Sequence, residues 1–253
     1  MLSNSPVFLR YEEAGRGGDA DAWYNLGILH YNGIGVPVDK QLSLTCIRKA
    51  ADLGDAAAHF FLYSQCDPST SAAKHHLDTA AAAGHAEAMY YKAMELQDVP
   101  AKFIPALVHA AETGSTSAAA ALGSLHYDGT CGAVQSAALA AKWWVIAANA
   151  GHAGASHNIA VMYEYGVPEI GFKQDYSMYP SPCIRRRLCP RLAPNATCRR
   201  AYSWYSAAAL EGNADSLQCL ADMTRLGQGV AASEVQAAEL QKAADELRKA
   251  QSD

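Results

Sequence analysis

Five times along this 253-residue chain a pair of alanines is followed, three residues on, by a glycine: Ala50-Ala51…Gly54, Ala80-Ala81…Gly84, Ala110-Ala111…Gly114, Ala147-Ala148…Gly151 and Ala208-Ala209…Gly212. Those glycines are spaced by 30, 30, 37 and 61 residues, and Gly18, 36 residues before Gly54, keeps the phase. A recurrence of this period means one supersecondary unit stacked on copies of itself. The residue after each glycine says which unit. Gly18-Asp19, Gly54-Asp55, Gly114-Ser115 and Gly212-Asn213 join a residue that tolerates positive φ to a side chain that caps a helix N-terminus. Each is a helix stop followed at once by a helix start. Gly84-His85 and Gly151-His152 keep the stop but carry a weaker predicted start.

The helix after each turn has a recurring core. Leu26-Gly27…Leu29…Tyr31 returns as Leu122-Gly123…Leu125…Tyr127, as Ile159-Ala160…Met162-Tyr163 and as Leu220-Ala221…Met223. The small residue beside the large one lets a partner helix come close. Composition agrees: half of the residues are hydrophobic but only 9% are aromatic, so small side chains supply much of the apolar content. A break comes next at Gly33-Ile34-Gly35-Val36-Pro37, at Gly129-Thr130-Cys131-Gly132 and at Gly227-Gln228-Gly229-Val230. Asp39 and Ser233 then stand where a second helix is capped, Ser233 with Gln236 in a capping-box arrangement. Four residues before the Ala-Ala pair stands Trp143 in one copy and Trp204 in another, with Cys46, His76 and Ala106 elsewhere. The unit is helix–loop–helix.

The run Tyr24-Asn25-Leu26-Gly27…Tyr31-Asn32-Gly33-Ile34-Gly35-Val36-Pro37-Val38-Asp39…Lys49-Ala50-Ala51-Asp52-Leu53-Gly54-Asp55-Ala56 resembles the Sel1-like repeat, an αα-hairpin relative of the tetratricopeptide repeat. The resemblance implies an all-α fold: one right-handed α/α solenoid over 1–253, with about six repeats near 19–54, 55–84, 85–114, 115–151, 152–212 and 213–250. Copies one, four, five and six carry the pattern, with Trp143 and Trp204 at the family's aromatic position. Copies two and three keep only the Ala-Ala…Gly end. Residues 233–250, rich in Glu, Lys and Arg, suit a polar terminal cap, and Val7–Ala14 a partial helix closing the front.

The fifth copy is too long, and its surplus lies at about 168–199. Prolines 168, 180, 182, 190 and 194 argue against a regular helix there, so an insertion on one rim of the stack is expected. Residues 166–200 hold seven basic side chains against Glu169 and Asp175, a net of +5 in a chain of −5. Such a basic segment on an acidic body favours either its own acidic surface or an anionic partner. Cys183, Cys189 and Cys198 lie in the same stretch, but their C-x5-C-x8-C spacing lacks the close pairs of a structural zinc site. No metal and no cofactor is expected.

No catalytic motif stands in a matching context, so the chain reads as a non-enzyme. The resemblance implies a scaffold or adaptor whose concave face, lined by first helices, holds a segment of another protein within a multiprotein complex. Trp23, His30, Tyr90, His126 and His157 lie on first helices and are the expected protein contacts. Arg185, Arg186, Arg187, Arg191, Arg199 and Arg200 are the expected second contact, toward an acidic segment. RNA binding through the same arginines, with Tyr176 and Tyr179 as stacking platforms, is the alternative; a hydrolase built from a nucleophile and base converging across repeats is a remote one. Seven scattered cysteines, an odd number, and the absence of a signal-peptide pattern point to the cytoplasm, with a short mitochondrial presequence as the lesser reading.

Overall fold

A computed structural model describes residues 6–165 and 196–252, and thirteen helices with no strand lie among the described residues. The chain divides into two compact units, Met1–Ser115 and Thr116–Asp253. In the first, α1 (Pro6–Arg16) packs on α2 (Ala20–Asn32), followed by α3 (Lys40–Asp52), α4 (Ala56–Gln65), α5 (Ser71–Ala82), α6 (Ala86–Met94) and α7 (Pro100–Thr113). The second holds α8 (Thr116–Asp128), α9 (Ala137–Asn149), α10 (Ala153–Tyr165), α11 (Ala196–Leu210), α12 (Ala214–Leu226) and α13 (Glu234–Ser252). In each unit consecutive helices pair into three hairpins, and each hairpin packs on the next. Copies two and three form αα-hairpins like the others, despite having lost the glycine loop.

The turns between hairpins follow the sequence. Gly54 and Gly151 take φ of 91° and 86°, which a Cβ would strain, and the next residue caps the following helix. Asp19 accepts from the Ala22 amide at 3.1 Å and Asn213 from the Ser216 amide at 2.8 Å. The two turns with a weaker predicted start are capped as well. His85 Nδ1 accepts from the Ala88 amide at 3.3 Å, and His152 Nδ1 from the Ala155 amide at 3.0 Å. A neutral imidazole has the lone pair that the position requires.

Within hairpins, the loops are closed by one repeated backbone bond. The amide of the second helix's cap residue returns to the first helix: Asp39 to the His30 carbonyl (3.0 Å), Ser136 to that of His126 (2.7 Å) and Ser233 to that of Thr224 (3.1 Å). His30, His126 and Thr224 hold the same repeat position, and all three are buried.

Five of the six second helices bury one stripe with the spacing of a 3.6-residue turn: Ser43/Ile47/Ala50, Ala73/Leu77/Ala80, Phe103/Leu107/Ala110, Ala140/Trp144/Ala147 and Ala201/Tyr205/Ala208. The central large residue stands three before the Ala-Ala pair, one place later than the position the sequence singled out. Trp143 is also buried, but Trp204 is only half-buried, whereas Tyr205 beside it is wholly enclosed. Opposite the large residue lies the small one. A Cβ added at Gly27 would overlap the Ile47 side chain, and one at Gly123 would overlap the indole of Trp144.

The helical part of copy five begins earlier than the insertion limits near 168–199 suggest. Pro194 is the last proline, and α11 runs unbroken from Ala196. Arg199 and Arg200 therefore sit on a helix. Residues 166–195, with Arg185, Arg186, Arg187, Arg191, Tyr176, Tyr179, Cys183 and Cys189, lie outside the described residues.

A candidate peptide pocket between α8 and α10

In the second unit, the gap left by Gly123 on α8 admits Trp144 from α9, and the indole becomes the floor of a pocket between the first helices α8 and α10. Ser124, Tyr127 and Asp128 line it from α8, and Asn158, Val161 and Met162 from α10. The Tyr127 ring lies 5.4 Å from that of Trp144, tilted by 41°, and is 46% exposed. The cavity measures about 240 Å³. Pockets for drug-sized molecules start at about 300 Å³, so this one matches a single inserted side chain better than a cofactor.

Trp144 is only 4% exposed, yet its Nε1–H has no acceptor among the described residues. A buried indole N–H without an acceptor gives up a hydrogen bond that water would supply. That nitrogen packs against α8 beside Gly123, so the pocket meets the indole through its ring. Val161 and Met162 form the apolar wall, the Asn158 amide can donate or accept, and Asp128 adds a negative charge at the edge.

The residues expected as contacts are spread over both units, and few of them present a free face. Trp23 is half-buried, its ring close on Gly15 with the Lys49 ammonium 4.2 Å from the ring centre. His30 is 7% exposed, lies edge-on to Phe8 at 5.3 Å, and neither ring nitrogen has a partner among the described residues. His126 is 9% exposed and its Nδ1 stands 2.9 Å from the Val134 carbonyl, so it ties down its own loop. Tyr90 is half-buried beside the more open Tyr91, with ring centres 5.4 Å apart. Burial, then the proximity of Tyr91 and Glu87, pushes the Tyr90 phenol pKa up. Arg200 reaches over the Tyr163 ring at 5.9 Å.

His157 makes the contact that a hydrolase reading requires, in the wrong place. Its Nδ1 is 2.8 Å from Ser216 Oγ and its ring meets Tyr205 at 5.4 Å. Ser216 has no exposed surface, so a substrate cannot approach that hydroxyl. Beside it Tyr205 donates to Glu164 at 2.6 Å, and burial foremost, then Glu164 and Cys219, drives the Tyr205 phenol pKa far upward. This is a polar core holding α10, α11 and α12 together. Cys198 packs half-buried against the same cluster. Among the described residues no group of three or more His, Cys, Asp or Glu converges on a metal position.

Trp144, Tyr127 and Asn158 were not among the residues the sequence nominated. The signal available was Gly123 itself: a glycine in mid-helix, in phase with Gly27, marks the place where a large side chain from the next helix comes through.

The Sel1 repeat profile matches residues 20–55, 56–85, 116–152, 153–178 and 198–213, more than half of the chain. No curated protein matches. Among solved structures, a Sel1 repeat protein from Oxalobacter formigenes is 20% identical, with a TM-score of 0.62 over 95% of this chain and 97% of that one. A protective antigen of uropathogenic Escherichia coli strains displaying an SLR fold is 19% identical, with a TM-score of 0.62 over 94% of this chain. The chain spans 48% of that antigen's length. At these identities the likeness shows the fold alone.

Proposed function

This chain belongs to the Sel1 repeat family, an all-α family of protein-interaction repeats, and from that premise we propose that it is a non-enzymatic adaptor holding an extended segment of another protein across α8 and α10. One observation carries the reading: a side-chain-sized pocket floored by Trp144, walled by Val161 and Met162 and flanked by the exposed ring of Tyr127. The segment places one apolar side chain against Trp144, Val161 and Met162. Asp128 at the edge favours a basic residue beside that anchor. Tyr127 supplies rigid, amphipathic area at low entropic cost.

The basic stretch at about 168–199 is a second contact in this proposal, steering an acidic part of the same partner toward the chain. Its charge supports this, since residues 166–200 hold seven basic residues against two acidic in a chain of net −5. The scattered, odd-numbered cysteines support a cytoplasmic setting. No described helix is long and apolar enough to cross a membrane.

The test is a displayed random-peptide library selected on the full chain, then measured against Ser124→Arg, which fills the pocket from an exposed position on α8. Enriched peptides sharing one apolar anchor, and losing at least about tenfold in affinity on Ser124→Arg at unchanged melting temperature, support the pocket. Peptides that bind the variant as well as the wild type refute it.

A further inference from the structure

The hairpin of α4 and α5 differs from the others at one interior contact. In copy one, the fifth residue of the repeat is Trp23, and the residue four before the Ala-Ala pair is Cys46; in copy four the corresponding residues are Ala119 and Trp143. Copies three and five hold Met89 with Ala106 and Ser156 with Trp204. In copy two both positions are histidine: His59 on α4 and His76 on α5. Their Nδ1 atoms stand 3.0 Å apart, with ring centres 5.2 Å apart. His59 is 8% exposed and His76 half-buried. His75, on the exposed side of α5, lies edge-on to His59 at 6.2 Å.

Two neutral imidazoles meeting nitrogen to nitrogen share one proton between two lone pairs. One ring carries its hydrogen on Nδ1 and donates; the other accepts. If the donor ring shifts that hydrogen to its own Nε2 and both rings turn from their nearly in-line contact, the two Nδ1 lone pairs converge on one point and no net proton is lost. The spacing suits a metal ion there. Bonds of about 2.0–2.1 Å place two nitrogens about 2.8 Å apart when cis on a square-planar ion and about 3.3 Å apart on a tetrahedral one. The observed 3.0 Å falls between the two.

We propose that His59 and His76 form a two-imidazole site for a first-row divalent cation, Cu2+ more tightly than Zn2+, with water in the remaining positions. Among the described residues no third protein ligand converges on the pair. The Irving–Williams order sets the preference for Cu2+. Burial and the nearby His59, His75 and Arg48 depress the His76 pKa, which keeps that ring neutral and available at neutral pH. His75 is a neighbour and not a ligand, and that distinction makes the proposal testable.

The experiment titrates Cu2+ alone, buffered by glycine as a competing chelator, into the full chain and into His76→Gln and His75→Gln. It is read by calorimetry and by the visible Cu2+ absorption. His76→Gln is preferred to a change at the more buried His59, and its circular dichroism and melting curve establish that it folds. Loss of at least about tenfold in affinity in His76→Gln, with His75→Gln within about twofold of wild type, is the expected result. Equal binding by wild type and His76→Gln overturns the site. So does an equal loss in His75→Gln, which reports an ordinary surface histidine cluster.

Discussion

The indole of Trp144 occupies the space that a Cβ on residue 123 would need. The same relation joins Ile47 to Gly27 in the first copy, with a flexible aliphatic chain in place of a rigid ring. Gly123 is thus held by the close approach of α9 to α8, although glycine costs a helix about 1 kcal/mol relative to alanine.

Replacing Gly123 with alanine sets those two effects against each other. Alanine returns about 1 kcal/mol of helix propensity, while displacing a packed indole costs about 1–3 kcal/mol. Because a rigid ring must move, the upper part of that range applies, and a net loss of about 1–2 kcal/mol is expected. Urea unfolding measures it, and a red shift in tryptophan emission reports the displaced ring. Gly27→Ala, facing the more yielding Ile47, is expected to lose less.

Tyr205 has no exposed surface, and its hydroxyl donates to Glu164. Tyr205→Phe keeps the ring against the Ala160–Leu220 cluster but removes a bond to a charged acceptor. Such bonds contribute about 1.5–3 kcal/mol when enclosed, and Glu164 is only half-buried, so a loss of about 1–2 kcal/mol is expected in urea melts. Alkaline titration followed at 295 nm offers a second check. Tyr205 is expected to stay protonated longest, and Tyr205→Phe to remove that last-titrating tyrosine from the curve.

The fold was legible because its signals are local and repeated. A glycine that ends one helix, a cap that starts the next and a small residue opposite a large one are each read within a few residues, and the copies reinforce one another. The site was less legible because its members come from three helices. Trp23, His30 and His126 looked available as aromatic residues on first helices, but the sequence does not say which way a ring turns, and all three face inward or sideways against neighbours. His59 and His76 are 17 residues apart, and only the pairing of α4 with α5 brings them together. The cap position was judged from residue type, which undervalued histidine; neutral Nδ1 does the work of an Asp oxygen at His85 and His152.

Relaxing the long connection of copy five tests whether it is needed for folding. α10 and α11 pack against each other as the other hairpins do, whereas α2 and α3 are joined by a short loop ending at the Asp39 cap. Replacing residues 166–195 with the Gly33–Asp39 loop leaves that packing and shortens the chain to be closed. Loop-closure entropy falls by about 1 kcal/mol for two halvings of length, so cooperative melting at an equal or higher temperature is expected. A broadened transition or a lower melting temperature argues that the replaced residues stabilise the hairpin.

The histidine cap gives the first unit a pH dependence whose sign is set by the hydrogen bond. His85 accepts through Nδ1, so protonation removes the acceptor, and burial outweighs the opposing pull of Glu87 and Asp55 to lower its pKa from 6.5. His76 is lowered too, chiefly by burial and then by His59, His75 and Arg48. With both folded-state values below the unfolded 6.5, the unfolded chain binds more protons as pH falls. Stability is therefore full above pH 6.5 and declines below it, until the pH passes the folded-state values. Urea midpoints measured at successive pH values below 7.5 are expected to fall monotonically for the wild type. His85→Asn supplies a cap that does not titrate, and its decline over the same range is expected to be shallower. A slope identical to the wild type's refutes the cap as a source of the acid sensitivity and leaves it with the His59–His76 pair.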